Sequence, residues 1–295
     1  MKKLFVITFV FIVTALFINF TFKKIDLRKA KNMNVCKSLK GDVLLYVVFV
    51  DGKYTSPWTE YDIQSTMDSI KIAVNWIKQQ ATEDNIKLNI ITDYYLGKEF
   101  SIIKRDLPEQ TLLKTATSPN LYKGIDNLNK WSDYISKKVG VSFNLTDKEG
   151  IPEIKQPKNK ERLIAYLRDY HKVESVALLL MVNNYFKDDI SIQANTMSDE
   201  DVEYSVVSFK YPAVIAHNFL HLFGAADLHE SPYRKNDKNI KFAEKEFPNE
   251  VMQNPYAKDI SKLSVSPFNK YLIGWTDSIE PKYGELFFEK NIKIK

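Results

Sequence analysis

Two unbroken apolar runs stand out in the alternation of hydrophobic and polar positions along the chain. Residues 43–50 read Val-Leu-Leu-Tyr-Val-Val-Phe-Val, and residues 176–182 read Val-Ala-Leu-Leu-Leu-Met-Val. Short runs of this kind are typical of strands that are buried on both faces of a parallel sheet. Weaker patterns predict additional strands at residues 87–95, 100–104, 188–196 and 203–210. We expect the strand at residues 188–196 to be an antiparallel edge strand.

Between these strands, apolar residues recur at three- and four-residue spacing, which is the period of an amphipathic helix. The first such helix follows Thr59, a residue suited to cap it, and Asp62 is placed to complete a capping box. Further helices are predicted at residues 121–139, 158–170 and 267–275. Strands that alternate with helices indicate an α/β fold with a mixed, mostly parallel sheet, formed by a single domain over residues 42–295.

Polar segments between the predicted elements indicate loops. Residues 228–245 are rich in Lys, Asn and Asp, and they predict an irregular connection. His171 directly follows the predicted helix 158–170, where a cation complements the negative end of the helix dipole. We therefore expect His171 to have a structural role.

The other three of the four histidines lie close together in the sequence. His217 and His221 are four residues apart, so on a helix their imidazoles share one face and can reach one metal ion. Gly224 can adopt a positive φ and end that helix, after which Asp227 or His229 can supply a third ligand. The flanking residues are apolar, so the imidazoles are buried, and they need either a metal or hydrogen bonds to the backbone or a carboxylate.

The pattern His217-x-x-x-His221-x-x-Gly224-x-x-Asp227 resembles the motif of the metzincin zinc peptidases, in the variant of the snapalysin-like enzymes whose third ligand is Asp. The resemblance implies a Zn²⁺ cofactor bound by the two histidines and the aspartate. One position departs from the family, which has Glu directly after the first His as general base. This chain has Asn218 there, and an amide cannot take up a proton at neutral pH.

The resemblance is specific over residues 211–256 and is architectural elsewhere. It implies a zincin-like sheet with an active-site helix and a C-terminal helix, and a Met turn at Met252 beneath the metal. It also implies that the edge strand borders a cleft for a peptide or protein substrate. Because Asn218 replaces the base, we expect peptide-bond hydrolysis to be weakened or lost.

Three functional interpretations follow. The first is a metallopeptidase of reduced activity, and the second is a non-catalytic, zinc-binding descendant that binds a peptide or a surface partner. The third is a membrane-anchored binding protein without metal, whose histidines are neutral and hydrogen-bonded. In the first two interpretations His229 is a second candidate for the third ligand, or a group that orients the ligands. We expect a monomer.

Charge is concentrated at the N-terminus. Residues 1–40 contain nine Lys or Arg and one Asp, whereas the rest of the chain carries slightly more acidic than basic residues. A near-neutral domain argues against a nucleic-acid partner. Residues 1–24 predict a signal peptide or a signal-anchor, because residues 4–22 form an uncharged segment behind two lysines.

Two indications about the orientation of that segment in the membrane conflict. More basic residues follow the apolar segment than precede it, which by the positive-inside rule favours a cytoplasmic domain. Zinc peptidases of the resembling type are exported, so we expect an extracytoplasmic domain that is secreted or anchored by residues 4–22. Residues 25–41 are predicted to be a linker.

Overall fold

The computed structural model shows a domain that follows the predicted segment of residues 1–24, which lies outside the described residues. Among the described helices, none has the length and apolar content needed to cross a bilayer. The structure describes residues 25–28, 36, 38–53, 55–96, 102–108, 121–146, 151, 154–183, 190–196, 201–208, 211–231 and 234–289.

The described elements alternate between strands and helices, as the sequence predicts. The strands are β1 (Ile25–Asp26), β2 (Gly41–Asp51), β3 (Leu88–Tyr95), β4 (Ile103–Lys104), β5 (Ser175–Val182), β6 (Ser191–Ala194), β7 (Tyr204–Val207) and β8 (Phe288–Glu289). The α-helices are α1 (Glu60–Glu83), α2 (Leu121–Ser142), α3 (Asn159–His171), α4 (Pro212–Leu222), α5 (Asp237–Glu246) and α6 (Pro267–Leu272). Two 3-10 helices cover Ile260–Lys262 and Pro281–Phe287.

The main sheet is mixed and mostly parallel, which confirms the predicted α/β class. Its strands are arranged in the order β3-β2-β5-β7-β6, and β4 extends the β3 side of β2. Neighbouring strands are parallel except β6, which pairs antiparallel with β7 at the sheet edge. The prediction of an antiparallel edge strand within residues 188–196 is therefore confirmed.

The sheet separates two hydrophobic layers, because its central strands are apolar on both faces. In β2, Val43, Leu45, Val47 and Phe49 point to the layer that contains α1 and α4. The alternate residues point to the layer that contains α2 and α3. The apolar runs of β2 and β5 are thus buried on both sides, as predicted, and α4 is packed against β5, β6, β7 and α1.

Helix α1 begins where the sequence predicts. Thr59 accepts a hydrogen bond from the backbone N–H of Asp62 at 3.1 Å, and the Asp62 carboxylate accepts one in return from the backbone N–H of Thr59. The two bonds complete the capping box.

The predicted loop at residues 228–245 is wrong over its second half, where α5 forms instead. The Asn236 side chain caps α5 by accepting from the backbone N–H of Lys238 at 3.2 Å. Only Asn239 and Ala243 of this helix are buried. One of these two buried residues is polar. The helix therefore shows almost no apolar periodicity from which it could be predicted.

The segment predicted as a linker, residues 25–41, contributes to the folded domain at the described positions. Strand β1 pairs antiparallel with β8 near the C-terminus. Leu27, Cys36 and Leu39 are buried in the core, and the Cys36 carbonyl accepts a hydrogen bond from the Ser175 hydroxyl at 3.0 Å. The basic residues that surround these few apolar side chains obscure them in the sequence.

Candidate metal centre

Helix α4 carries two of the candidate ligands into the core. Tyr211 is its N-cap, and Pro212 occupies its first turn. A backbone N–H at that position has no partner within the helix, so proline loses no hydrogen bond there. Every residue from Ala213 to Leu222 is buried, in agreement with the predicted buried helix. Gly224 has a φ of 96°, the left-handed conformation that turns the chain back toward the histidines.

The predicted ligands converge. The Nε2 atoms of His217 and His221 are 3.1 Å apart. The Oδ1 atom of Asp227 lies 3.0 Å from Nε2 of His221 and 3.4 Å from Nε2 of His217. These three atoms all lie within 4.8 Å of one another, a spacing that allows them to bind one metal ion.

The protonation states of two candidate ligands, His217 and Asp227, suit metal binding. Burial, and after it the neighbouring His221, lowers the pKa of His217 to about 3, so His217 is neutral at physiological pH. Burial alone raises the pKa of Asp227, but the surrounding histidines, His221 first, lower that pKa below its usual value. A neutral imidazole and an ionised carboxylate are the states in which these groups bind metals.

The donor set fits a metal ion. The Nδ1 atom of His221 lies 2.8 Å from the backbone carbonyl of Ala225, and a neutral imidazole bonds a carbonyl through its protonated nitrogen. The lone pair of Nε2 then faces the Asp227 carboxylate. Two acceptors this close in a buried site repel each other unless a cation or a proton lies between them. Imidazole with carboxylate is a common ligand combination for Zn²⁺.

The bend that carries Asp227 is held by Arg234, seven residues further along the chain, and by the more distant Asn269. The Nε atom of Arg234 donates to the Asp227 carbonyl at 2.7 Å, and the backbone N–H of Ala226 donates to Oδ1 of Asn269 at 2.8 Å. Sequence reasoning missed Arg234 and Asn269. No motif or spacing indicates either residue, because each acts through a contact that only the tertiary structure creates.

Met252 lies in the predicted turn and is fully buried. Its carbonyl accepts a hydrogen bond at 3.0 Å from the backbone N–H of Leu228, the residue that follows Asp227. The neighbouring backbone of Val251 is close enough to His217 to influence its pKa. The turn therefore lies against the site and contacts both ligand-bearing segments.

Asn218 is completely buried, and its amide is fully engaged in hydrogen bonds. Its Nδ2 donates to the carbonyl of Val214 at 2.8 Å and to the hydroxyl of Ser191 at 2.9 Å. Its Oδ1 accepts from Nε2 of Gln193 at 2.8 Å. Ser191 and Gln193 belong to the edge strand β6, so Asn218 connects helix α4 to the sheet edge.

His229 lies at the rim of the same cluster. Its Nε2 is 3.4 Å from Oδ1 of Asp227, and its ring is stacked against that of His217 with centroids 5.8 Å apart. Asp227 is thus the group that all three histidines approach. His171, by contrast, lies 3.2 Å from a carboxylate oxygen of Asp93 and is not a member of the ligand group found among the described residues, and its structural role stays a prediction.

No family model matches the chain, and no curated protein matches it.

Proposed function

We propose that this chain is a zinc-binding protein of metallopeptidase-like architecture, in which His217, His221 and Asp227 hold Zn²⁺ and peptide-bond hydrolysis is lost or greatly weakened. The observation that carries the proposal is the convergence of two imidazole nitrogens and one carboxylate oxygen within 4.8 Å of one another in a buried site. The parallel sheet, the antiparallel edge strand and the turn at Met252 are consistent with a zincin-like fold.

Bound zinc would supply a Lewis acid that polarises a carbonyl and makes water more acidic. A peptidase also needs a residue that accepts the proton of the attacking water. Asn218 has no such capacity, and its amide is already bonded to Val214, Ser191 and Gln193. This observation favours a second function for the same site, namely that the zinc-bound fold binds a peptide or a surface partner without cleaving it.

The proposal is tested by measuring the zinc content of the purified full-length chain after dialysis. We expect one zinc ion per chain, and we expect His221→Ala to lose it. His171→Ala is the matched control, because it removes a histidine outside the cluster and should keep the zinc. Absence of zinc from the wild type would refute the proposal.

Hydrolysis is measured on a denatured protein substrate with the same preparations. We expect zinc-loaded wild type to cleave no faster than zinc-free His221→Ala. Rapid cleavage that a chelator abolishes would show that the chain is an active peptidase despite Asn218.

A further inference from the structure

We propose that His229 is a fourth protein ligand, so that the metal is enclosed by His217, His221, Asp227 and His229. The inference rests on the zinc-binding function proposed above and concerns the coordination of the same ion. It assigns the site to the closed class, in which protein side chains fill all four positions of a tetrahedral metal.

The first reason is the direction of the His229 ring. Its Nε2 atom is buried, makes no hydrogen bond within the described part of the chain, and lies 3.4 Å from Oδ1 of Asp227. His217 is at the same distance from that oxygen, and His221 is at 3.0 Å. One carboxylate oxygen therefore has three imidazole nitrogens around it.

The second reason is the tautomer of His229. Its Nδ1 atom lies 2.9 Å from the backbone carbonyl of Glu230, a contact in which the nitrogen donates. Nε2, the other ring nitrogen, faces Oδ1 of Asp227 in the cluster. His221 has the same arrangement, with Nδ1 at the carbonyl of Ala225. A backbone carbonyl that fixes the tautomer of an imidazole is the usual outer contact of a metal-binding histidine.

The third reason is that the surroundings are consistent with a closed site. A catalytic zinc site keeps one position open for water and has a base beside it. On this proposal His229 would fill the fourth position, and Asn218, whose amide is bonded to β6, stands where the resembling family has its base. A metal bound in this way would join α4 to the bend at residues 224–229 and stabilise the fold.

The experiment is X-ray absorption spectroscopy on the zinc-loaded full-length chain, which counts imidazole ligands. We expect three imidazoles in the wild type, two in His229→Ala and three in the control His171→Ala. Zinc affinity, measured by competition with a chromophoric chelator, should fall at least about tenfold in His229→Ala and stay unchanged in the control. The His229 side chain is 28% exposed, so its truncation leaves the core intact.

Two imidazoles in the wild type, with no change in His229→Ala, would overturn the inference while leaving the proposed zinc-binding function intact. A wild type that binds no zinc would overturn both. A further measurement is the activity of Asn218→Glu, which places a carboxylate at the position of the resembling family's base. Chelator-sensitive cleavage by this variant, with His229 present, would show that a coordination position is open and would contradict the fourth ligand.

Discussion

Glu250 is a buried carboxylate that connects three parts of the molecule around the candidate metal centre. It accepts hydrogen bonds from the backbone N–H groups of Met252 and Gln253, in the turn, and from Ser266 and Asn269, at the start of α6. Through the Asn269 side chain it is linked to the backbone of the bend before Asp227. A single side chain thus contacts the turn and α6 directly and the bend at Ala226 through Asn269.

Glu250 should make folding stability depend on pH. Burial raises its pKa to about 7, although its hydrogen-bond donors act in the opposite direction. A folded state with the higher pKa holds the proton more tightly than the unfolded chain. Its stabilising contribution is therefore complete below about pH 4.5, falls as the pH rises and is lost above about pH 7, a change of about 3 kcal/mol.

We expect this slope to be absent from Glu250→Gln, measured by urea unfolding of the metal-free protein between pH 4.5 and 8. The lowered pKa of His217 contributes a slope of the opposite sign in both proteins. The informative quantity is therefore the free energy of unfolding of the wild type minus that of Glu250→Gln. This difference should decrease as the pH rises. Parallel curves would contradict the raised pKa.

At the scale of elements, the contact between α4 and β6 decides how the ligand helix meets the sheet edge. Asn218 provides the connection through Ser191 and Gln193, and the Ser205 hydroxyl donates to its carbonyl at 3.4 Å. A glutamate at this position would place a charge among groups that are satisfied by an amide. The neutral side chain is therefore an integrated part of this packing.

Asn218→Ala should lower the free energy of unfolding by about 1–3 kcal/mol, because it leaves buried polar partners unsatisfied. Gln193→Ala is the control, since Oδ1 of Asn218 then keeps its bond from Ser191, and its loss should be smaller. Both changes are measured by urea denaturation. Zinc affinity should remain at the wild-type value in both, and a tenfold loss in Asn218→Ala would show that Asn218 also positions the ligands.

The N-terminus of α1 offers a test that is independent of the metal. Thr59→Ala removes one half of the capping box and should cost about 1 kcal/mol of stability. Thr82→Ala, on the same helix, is the matched control, because that exposed hydroxyl bonds only the carbonyl of Lys78 within the helix. Its effect should stay within about 0.5 kcal/mol. Thermal unfolding of both variants provides the comparison, and equal losses would contradict the role of the cap.

At the scale of the whole molecule, the C-terminal strand β8 is connected to the candidate metal centre by a buried ion pair. Nη1 of Arg234 lies 2.9 Å from Oε1 of Glu289, and both residues are almost completely buried. The other carboxylate oxygen accepts from the backbone N–H groups of Lys235 and Asn236. Arg234 in turn holds the carbonyl of Asp227.

Glu289→Ala should therefore destabilise the fold by about 3–5 kcal/mol, because it leaves a buried guanidinium without its partner. It should also weaken zinc binding, since Arg234 loses the contact that positions it beside Asp227. Urea unfolding and chelator competition measure the two effects. Asp126→Ala, which breaks the exposed pair with Lys130, is the control and should change stability by less than about 1 kcal/mol. Similar losses in both variants would contradict the importance of burial.

The sequence by itself determined the features that local periodicity and spacing encode. The apolar runs of β2 and β5, the capping box of α1 and the buried helix α4 all follow from neighbouring residues. The convergence of His217, His221 and Asp227 could also be predicted, because one helical turn and one glycine bend connect them. Helix α5 and the packing of residues 25–28, 36 and 38–40 could not, since few apolar residues mark them.

Only the tertiary structure decided what surrounds these candidate ligands. The side-chain partners of the Asn218 amide come from β6, the support of Asp227 comes from Arg234 and Asn269, and Glu289 in β8 contacts Arg234. Most of these contacts join residues that are tens of positions apart, and a single sequence contains no local signal for any of them. For the same reason, the spacing left Asp227 and His229 as alternatives, whereas the fold brings Asp227 into the group with His217 and His221 and places Nε2 of His229 3.4 Å from Oδ1 of Asp227.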